Sequence, residues 1–360
     1  MTEKTKKLYN INSPVFAVAP MLDWTDRHCR AFHRVLSKNA LLYTEMVTTG
    51  ALIHGDRDRH LRFSKEEQPV ACQLGGSDPK ALADCAKMVE DWGYDEVNLN
   101  IGCPSDRVQS GKFGACLMLE PDLVADCIAA MKDVVSIPVT TKCRIGVDDQ
   151  DPEEALNALA DKVIAAGTDA LWVHARKAWL KGLSPKENRD VPPLNYELVY
   201  RLKQRLPDVF IGINGGVATL EETTAHLQKL DGVMMGRAAY QNPMLLADVD
   251  RVVYGEDRTA LSSVEAMNIY REYIEGELSA GTKLASITRH ILGTYQGVPG
   301  ARHFRRIMTV EANKTGAGIE VLEDALAAVS RHQSEMREAR EQKEQRALES
   351  IGIEEGAAWT

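Results

Sequence analysis

At 360 residues with 44% hydrophobic and 26% charged residues, the chain is long enough to bury a sizeable core without disulfide or metal staples. Its formal charge of -9 excludes a protein coated in basic surface, so any contact with nucleic acid has to come from local patches. No stretch approaches the ~18 apolar residues of a membrane span, no apolar run follows the amino-terminal lysines, and the seven cysteines include no C-x-x-C pair, so a cytoplasmic chain with reduced thiols and no zinc site is expected.

Short apolar, β-branched runs recur along the first 240 residues, each followed by a longer segment with helical spacing. They cover Val15–Met21, Leu41–Met46, Val70–Leu74, Glu96–Ile101, Val139–Ile145, Ala170–Ala175, Val209–Asn214 and Gly232–Gly236. Eight runs are the number that closes a (β/α)8 TIM barrel. Helices are expected over Pro79–Trp92, Pro121–Val134, Pro152–Ala166 and Tyr196–Leu206, three of them opened by proline at a first helical position. After Tyr240 the rhythm changes to helical patterns over Ser262–Leu278, Lys283–Tyr295 and Leu322–Arg346, without strand candidates. The expected division is a segment over 1–13, the barrel over 14–245, a smaller all-helical domain over 246–345 and a flexible tail over 346–360.

The distinctive polar residues fall at one strand end after another. Strand four ends in Asn100-Ile101-Gly102-Cys103-Pro104, placing a thiol just beyond the strand on a turn stiffened by proline. A buried cysteine is far more often a packing residue, but Gln73, Cys103, Lys142 and His174 occupy four consecutive strand ends. A lysine pointing into a barrel is costly to bury unless a negative or electron-rich ligand meets it. The seventh strand runs into Asn214-Gly215-Gly216 and the eighth into Gly236-Arg237, the two loops where barrels commonly bind phosphate. Together these residues suit a flavin mononucleotide, with Lys142 favouring its electron-rich reduced state.

Ala19-Pro20-Met21, Gln73-Leu74-Gly75-Gly76, Asn98 to Pro104, Lys142-Cys143-Arg144 and Asn214-Gly215-Gly216 resemble the tRNA-dihydrouridine synthases, between residues 14 and 310. The most specific stretch continues from Cys103 through Ser105 to Ala115 and is similar to the A-type subgroup, which implies positions 20 and 20a of the tRNA D loop as the modified ones. The resemblance implies a TIM barrel holding FMN, a helical domain that grips tRNA, and NADPH as a transiently bound electron donor, with no stable protein partner. Carried over by position, FMN contacts Pro20, Met21, Leu22, Gln73, Lys142, His174, Asn214, Gly215, Gly216, Gly236 and Arg237. Cys103 is then the catalytic acid, Asn100 lies beside the uracil, and Lys186, Arg189, Arg302 and Arg305 are tRNA contacts.

Reducing the C5–C6 bond of uracil takes a hydride at C6 and a proton at C5, because hydride addition beside a conjugated carbonyl leaves enolate charge towards C5. The two donors stand on opposite faces, and a thiol within hydrogen-bond reach can be the proton donor. Cys103 is therefore expected as a neutral thiol rather than a nucleophile paired with histidine. The target nucleotide has to leave its stack, at a cost of roughly a few kcal/mol. From Leu278 to Val310 there is no Asp or Glu, but there are Lys283, Arg289, Arg302, Arg305 and Arg306. A second basic stretch, Arg176, Lys177, Lys181, Lys186 and Arg189, follows strand six. A dihydroorotate-dehydrogenase-like flavin barrel acting on a free pyrimidine would need neither patch, and an RNA-binding module without chemistry would not need Cys103 and Lys142 together.

Overall fold

The computed structural model describes the backbone of residues 8–357, and their side chains apart from 106–107 and 347–357. Its strands are β1 (Val15–Val18), β2 (Leu41–Thr48), β3 (Val70–Gly75), β4 (Glu96–Ile101), β5 (Val139–Arg144), β6 (Ala170–His174), β7 (Ile211–Asn214) and β8 (Gly232–Met235). Neighbours pair in parallel in chain order, and β8 returns to β1 with Gly232 opposite Val15 and Met235 opposite Val18, so the sheet closes on itself. The result is the (β/α)8 barrel that the run count predicts, each strand lying within a few residues of its expected place.

The outer layer is built from α1 (Arg27–Leu36), α2 (Pro79–Asp91), α3 (Pro121–Lys132), α4 (Pro152–Ala165), α5 (Tyr196–Arg205) and α6 (Leu220–Leu227), with two short helices after β2. Proline opens α2, α3 and α4, where its missing N–H leaves no gap because first-turn amides have no intrahelical partner. Side chains of Asp26, Asp78, Asp151, Asn195 and Thr219 accept from the next N–H groups and fix where α1, α2, α4, α5 and α6 begin.

Successive side chains of a strand point to opposite faces, so β4 turns Val97, Leu99 and Ile101 towards the helices and Glu96, Asn98 and Asn100 into the barrel. The apolar part of the interior is filled by Val15, Ala17, Leu41, Tyr43, Ala71, Ala170, Trp172, Phe210 and Met234, with Tyr9 inserted from the segment before β1. Trp172 takes its space from β7: a Cβ at Gly212 would lie 2.2 Å from the indole.

Contacts divide the chain into two units between Ser262 and Ser263. The stretch after β8 belongs to the barrel because α7 (Val249–Tyr254) is pinned there. Buried Asp250 accepts from Ser37 Oγ at 2.6 Å, the Lys38 N–H at 2.7 Å and Arg258 at 2.8 Å, and Tyr254 Oη accepts from the Phe16 N–H at 3.0 Å.

The second unit is helical: α8 (Ser263–Ser279), α9 (Leu284–Thr288), α10 (Ala301–Val310) and α11 (Ile319–Ala357). Where the spacing predicts one helix over Lys283–Tyr295, the structure has α9 and a 3-10 turn, Arg289–Ile291. The Thr288 hydroxyl bonds back to the Leu284 carbonyl at 2.9 Å, and such back-bonding competes with the helical ladder. Helix α10, which the spacing does not announce, buries Ala301, Phe304 and Met308 on one face. The expected tail falls in the last turns of α11 and beyond, where residues 358–360 lie outside the described residues. No helix among the described residues is long and apolar enough to cross a membrane.

Candidate active site

The carboxyl ends of the strands gather at one mouth. There β4 runs into the Gly102-Cys103 turn, which is tied from within: Asn100 Oδ1 accepts from the Gly102 N–H at 3.0 Å and the Cys103 N–H at 2.9 Å. The Cys103 carbonyl accepts from the Ala115 N–H at 2.9 Å. Only glycine allows that approach, because a Cβ at Gly114 would lie 2.6 Å from the same carbonyl oxygen. Gln109 Nε2 donates to the carbonyls of Pro104 and Leu180, both at 2.8 Å, and fastens this turn to the loop after β6. Cys103 is half-buried with Sγ 3.6 Å from Ser105 Oγ, whereas five of the seven cysteines are buried; all seven are reduced thiols.

Among the described side chains, the charge around this turn is positive and poorly compensated. Lys142 Nζ donates to Asn214 Oδ1 at 3.0 Å, an amide rather than a carboxylate. Burial, with the Arg144 charge beside it, pulls the Lys142 ammonium down to about 8. Arg144 is 3% exposed and ends on carbonyls alone: Gly102 at 2.9 Å, Lys177 at 2.9 Å and Asn188 at 2.8 Å. Burial lowers its guanidinium to about 10. Burial, then the charges of Arg144, Lys142, Arg176 and Arg237, hold His174 well below the usual imidazole range, so its ring is neutral. His174 Nε2 and Arg176 Nε are buried without a hydrogen-bond partner among the described residues. Two orphaned nitrogens in a cationic mouth fit a hydrogen-bonding, anionic ligand.

The expected site residues of the barrel fall into linked pairs. Gln73 Oε1 accepts from Asn100 Nδ2 at 2.8 Å, Lys142 meets Asn214, and Gly215 lies against His174. A Cβ at Gly215 would come within 2.7 Å of the imidazole, and its φ of +105° is one that side chains rarely adopt. Gly216 is exposed, and a Cβ on Gly236 would lie 3.8 Å from Met21 Sδ. Pro20 and Met21 are half-buried, Leu22 is 69% exposed, and Thr25 Oγ1 holds the Met21 N–H at 3.0 Å. Arg237 already has a partner, Asp190 at 2.7 Å in the loop after β6. Lys186 and Arg189 are exposed in that loop. Arg302 and Arg305 belong to the second unit, exposed on α10.

Sequence reasoning gives no role to Arg144, Asn98, Thr140 or Glu96, although all four are buried inside the barrel. The signal is a period of two: Glu96, Asn98 and Asn100 alternate with Val97, Leu99 and Ile101, and Thr140, Lys142 and Arg144 repeat it in β5.

Enzymes with this fold build their active sites from polar groups at the carboxyl ends of the strands, and the mouth of this barrel has that arrangement. A family described as "Dihydrouridine synthase (Dus)" matches residues 17–330, and the chain belongs to that family. A tRNA-dihydrouridine(20/20a) synthase of Yersinia pestis is 60% identical over 330 residues, 91% of this chain and 95% of that protein. Relatives of the same description from Escherichia coli K12 and Vibrio cholerae are 61% and 58% identical, covering 88% and 87% of this chain and 91% and 96% of their own length. Among solved structures, one of TcOYE with pHBA matches with a TM-score of 0.49 at 13% identity, covering 67% of this chain and 88% of its own.

Proposed function

We propose that the chain reduces the C5–C6 double bond of uridines 20 and 20a in the tRNA D loop to 5,6-dihydrouridine, with FMN in the barrel mouth and NADPH as electron donor. The names of the three relatives supply the substrate and positions. The observation in this chain that carries the chemistry is Cys103 on a tied turn beside a cationic mouth with orphaned nitrogens.

Pro20, Met21, Leu22, Gln73, Lys142 and His174 would hold the flavin ring, and Asn214, Gly215, Gly216, Gly236 and Arg237 its ribityl phosphate. When bound and reduced, the flavin supplies the hydride for uracil C6. Lys142, with no carboxylate beside it among the described residues, favours negative charge next to its ammonium. Neutral His174 offers Nε2 as a hydrogen-bond partner. Cys103 holds at Sγ the proton destined for C5, and the cations of Lys142 and Arg144 stabilise the thiolate left behind. Asn100 gives its carbonyl to the Cys103 turn and one amide hydrogen to Gln73, which leaves the second for a uracil carbonyl. Lys186 and Arg189 on the barrel, and Arg302 and Arg305 on α10, take backbone phosphates of the tRNA.

Cys103→Ala should keep the yellow flavin and the tRNA affinity, while dihydrouridine formation, read by mass spectrometry of tRNA digests, drops at least about 10²-fold. Unchanged turnover would remove Cys103 from the mechanism. A purified protein that is colourless and takes up no FMN would sink the flavin reading. Transfer RNA from a strain lacking the protein should lack dihydrouridine at 20 and 20a and keep it elsewhere.

A further inference from the structure

Asn100, Gln73, Asn98, Thr140 and Glu96 form one file inside the barrel from the mouth to the base, and every bond in it points the same way. The Gly102 and Cys103 N–H groups donate to Asn100 Oδ1. Asn100 Nδ2 donates to Gln73 Oε1, Gln73 Nε2 to Asn98 Oδ1 and Asn98 Nδ2 to Thr140 Oγ1, each at 2.8 Å. The Thr140 hydroxyl donates to the Glu96 carboxylate. Glu96 also accepts from Tyr43 Oη at 2.6 Å and from Tyr9 Oη. Gln73, Glu96, Asn98 and Thr140 are fully buried.

The direction is forced from both ends. A backbone N–H can only donate, so Asn100 must turn its carbonyl to the Cys103 turn, and its amide hydrogens then face Gln73. The same choice passes down the file. A carboxylate can only accept, so at the base Glu96 fixes the hydrogens of three converging hydroxyls, that of Thr140 among them. Reversing any one amide would set donor against donor out of reach of bulk solvent.

We propose that Glu96 is a positioning residue for Cys103: its carboxylate terminates the Thr140–Asn98–Gln73–Asn100 file and so holds the turn that carries the thiol in one arrangement. The inference rests on the reading of Cys103 as proton donor. Burial raises the Glu96 carboxyl to about 7, against the pull of Thr140, Tyr43 and Tyr9 and with a further rise from Asp169. Trp172, packed on the same side, donates to Tyr9 Oη at 3.4 Å and completes the base.

The test is hydrogen exchange by mass spectrometry on the full chain, read in peptides that contain Gly102 and Cys103. Glu96→Leu and Thr140→Val should each speed those amides about tenfold, and the double variant should add little, since both break one file. Glu96→Gln, whose carbonyl still accepts from Thr140, should stay within about twofold of the parent. Thr140→Val should also lower kcat about tenfold with KM for tRNA unchanged. If Glu96→Leu fails to fold, Thr140→Val carries the test alone. Parental exchange at Gly102 and Cys103, or equal acceleration in β7, overturns the inference. Exchange is read without turnover, so an active Cys103→Ala protein would remove the proton-donor reading while leaving the support of the turn intact.

Discussion

Burial and the Arg144 charge pull the Lys142 ammonium from an ordinary 10.5 down to about 8. A depressed amine value means that the folded protein binds fewer protons than the unfolded chain between pH 8 and 10.5. Folding therefore carries the cost of a half-buried charge below pH 8, and that cost fades as pH rises through the window. In flavin-free protein, Lys142→Met should raise the unfolding free energy at pH 7 by at most about 3 kcal/mol, less the loss from unpairing Asn214. The gain should shrink towards pH 10, as urea denaturation at the two pH values would show. A gain independent of pH would trace to packing rather than charge. The same variant should retain less flavin, because a charge that is costly alone is the one a bound anion would repay. His174, neutral with an orphaned Nε2, belongs to the same arrangement.

Strands β4 and β5 supply Asn100, Lys142 and Arg144 to the site because their period-two alternation puts these polar groups on the inner face. Glu96 is the extreme case, a carboxyl raised from 4.5 to about 7 by burial. Here the folded protein binds more protons than the unfolded chain between pH 4.5 and 7, so stability is lost as pH rises through that window. Glu96→Gln should thus be more stable than the parent above pH 7, by on the order of 3 kcal/mol, and equal to it below pH 4.5. Thermal midpoints across that range would check it; a constant offset would mean the carboxyl does not titrate there. The strand ends that carry Gln73, Cys103, Lys142 and His174 were legible in the sequence, since strand runs and punctuating glycines are local signals. The file beneath them was not, because which amide meets which hydroxyl depends on register between strands, Asn98 opposite Thr140 for one. Helix α10 escaped for another reason: its arginines stand out as charge, and only the packing of Phe304 and Met308 shows the helical face behind them.

A chain of net charge -9 can hold an RNA polyanion only if its cations are concentrated and left unneutralised. The second unit meets both conditions on α10. Arg302, Arg305 and Arg306 are exposed on the face opposite its buried Ala301, Phe304 and Met308, and among the described residues none of the three pairs with a carboxylate. Elsewhere the surface arginines are mostly tied up, as Arg201 is with Glu153 and Arg271 with Glu275 and Glu323. Binding through such cations releases counterions, so affinity falls with salt in proportion to the phosphates contacted. Replacing Arg302 and Arg305 together by Ala should weaken tRNA binding and lower the slope of log affinity against log salt by about 1 per arginine. Filter binding between low and physiological salt would measure that slope. Because both residues belong to the second unit, whereas Cys103 and Lys142 belong to the first, flavin reduction by NADPH should run at the parental rate in the same variant. Equal slopes in variant and parent would place the RNA on another surface, with Lys186 and Arg189 the next pair to replace.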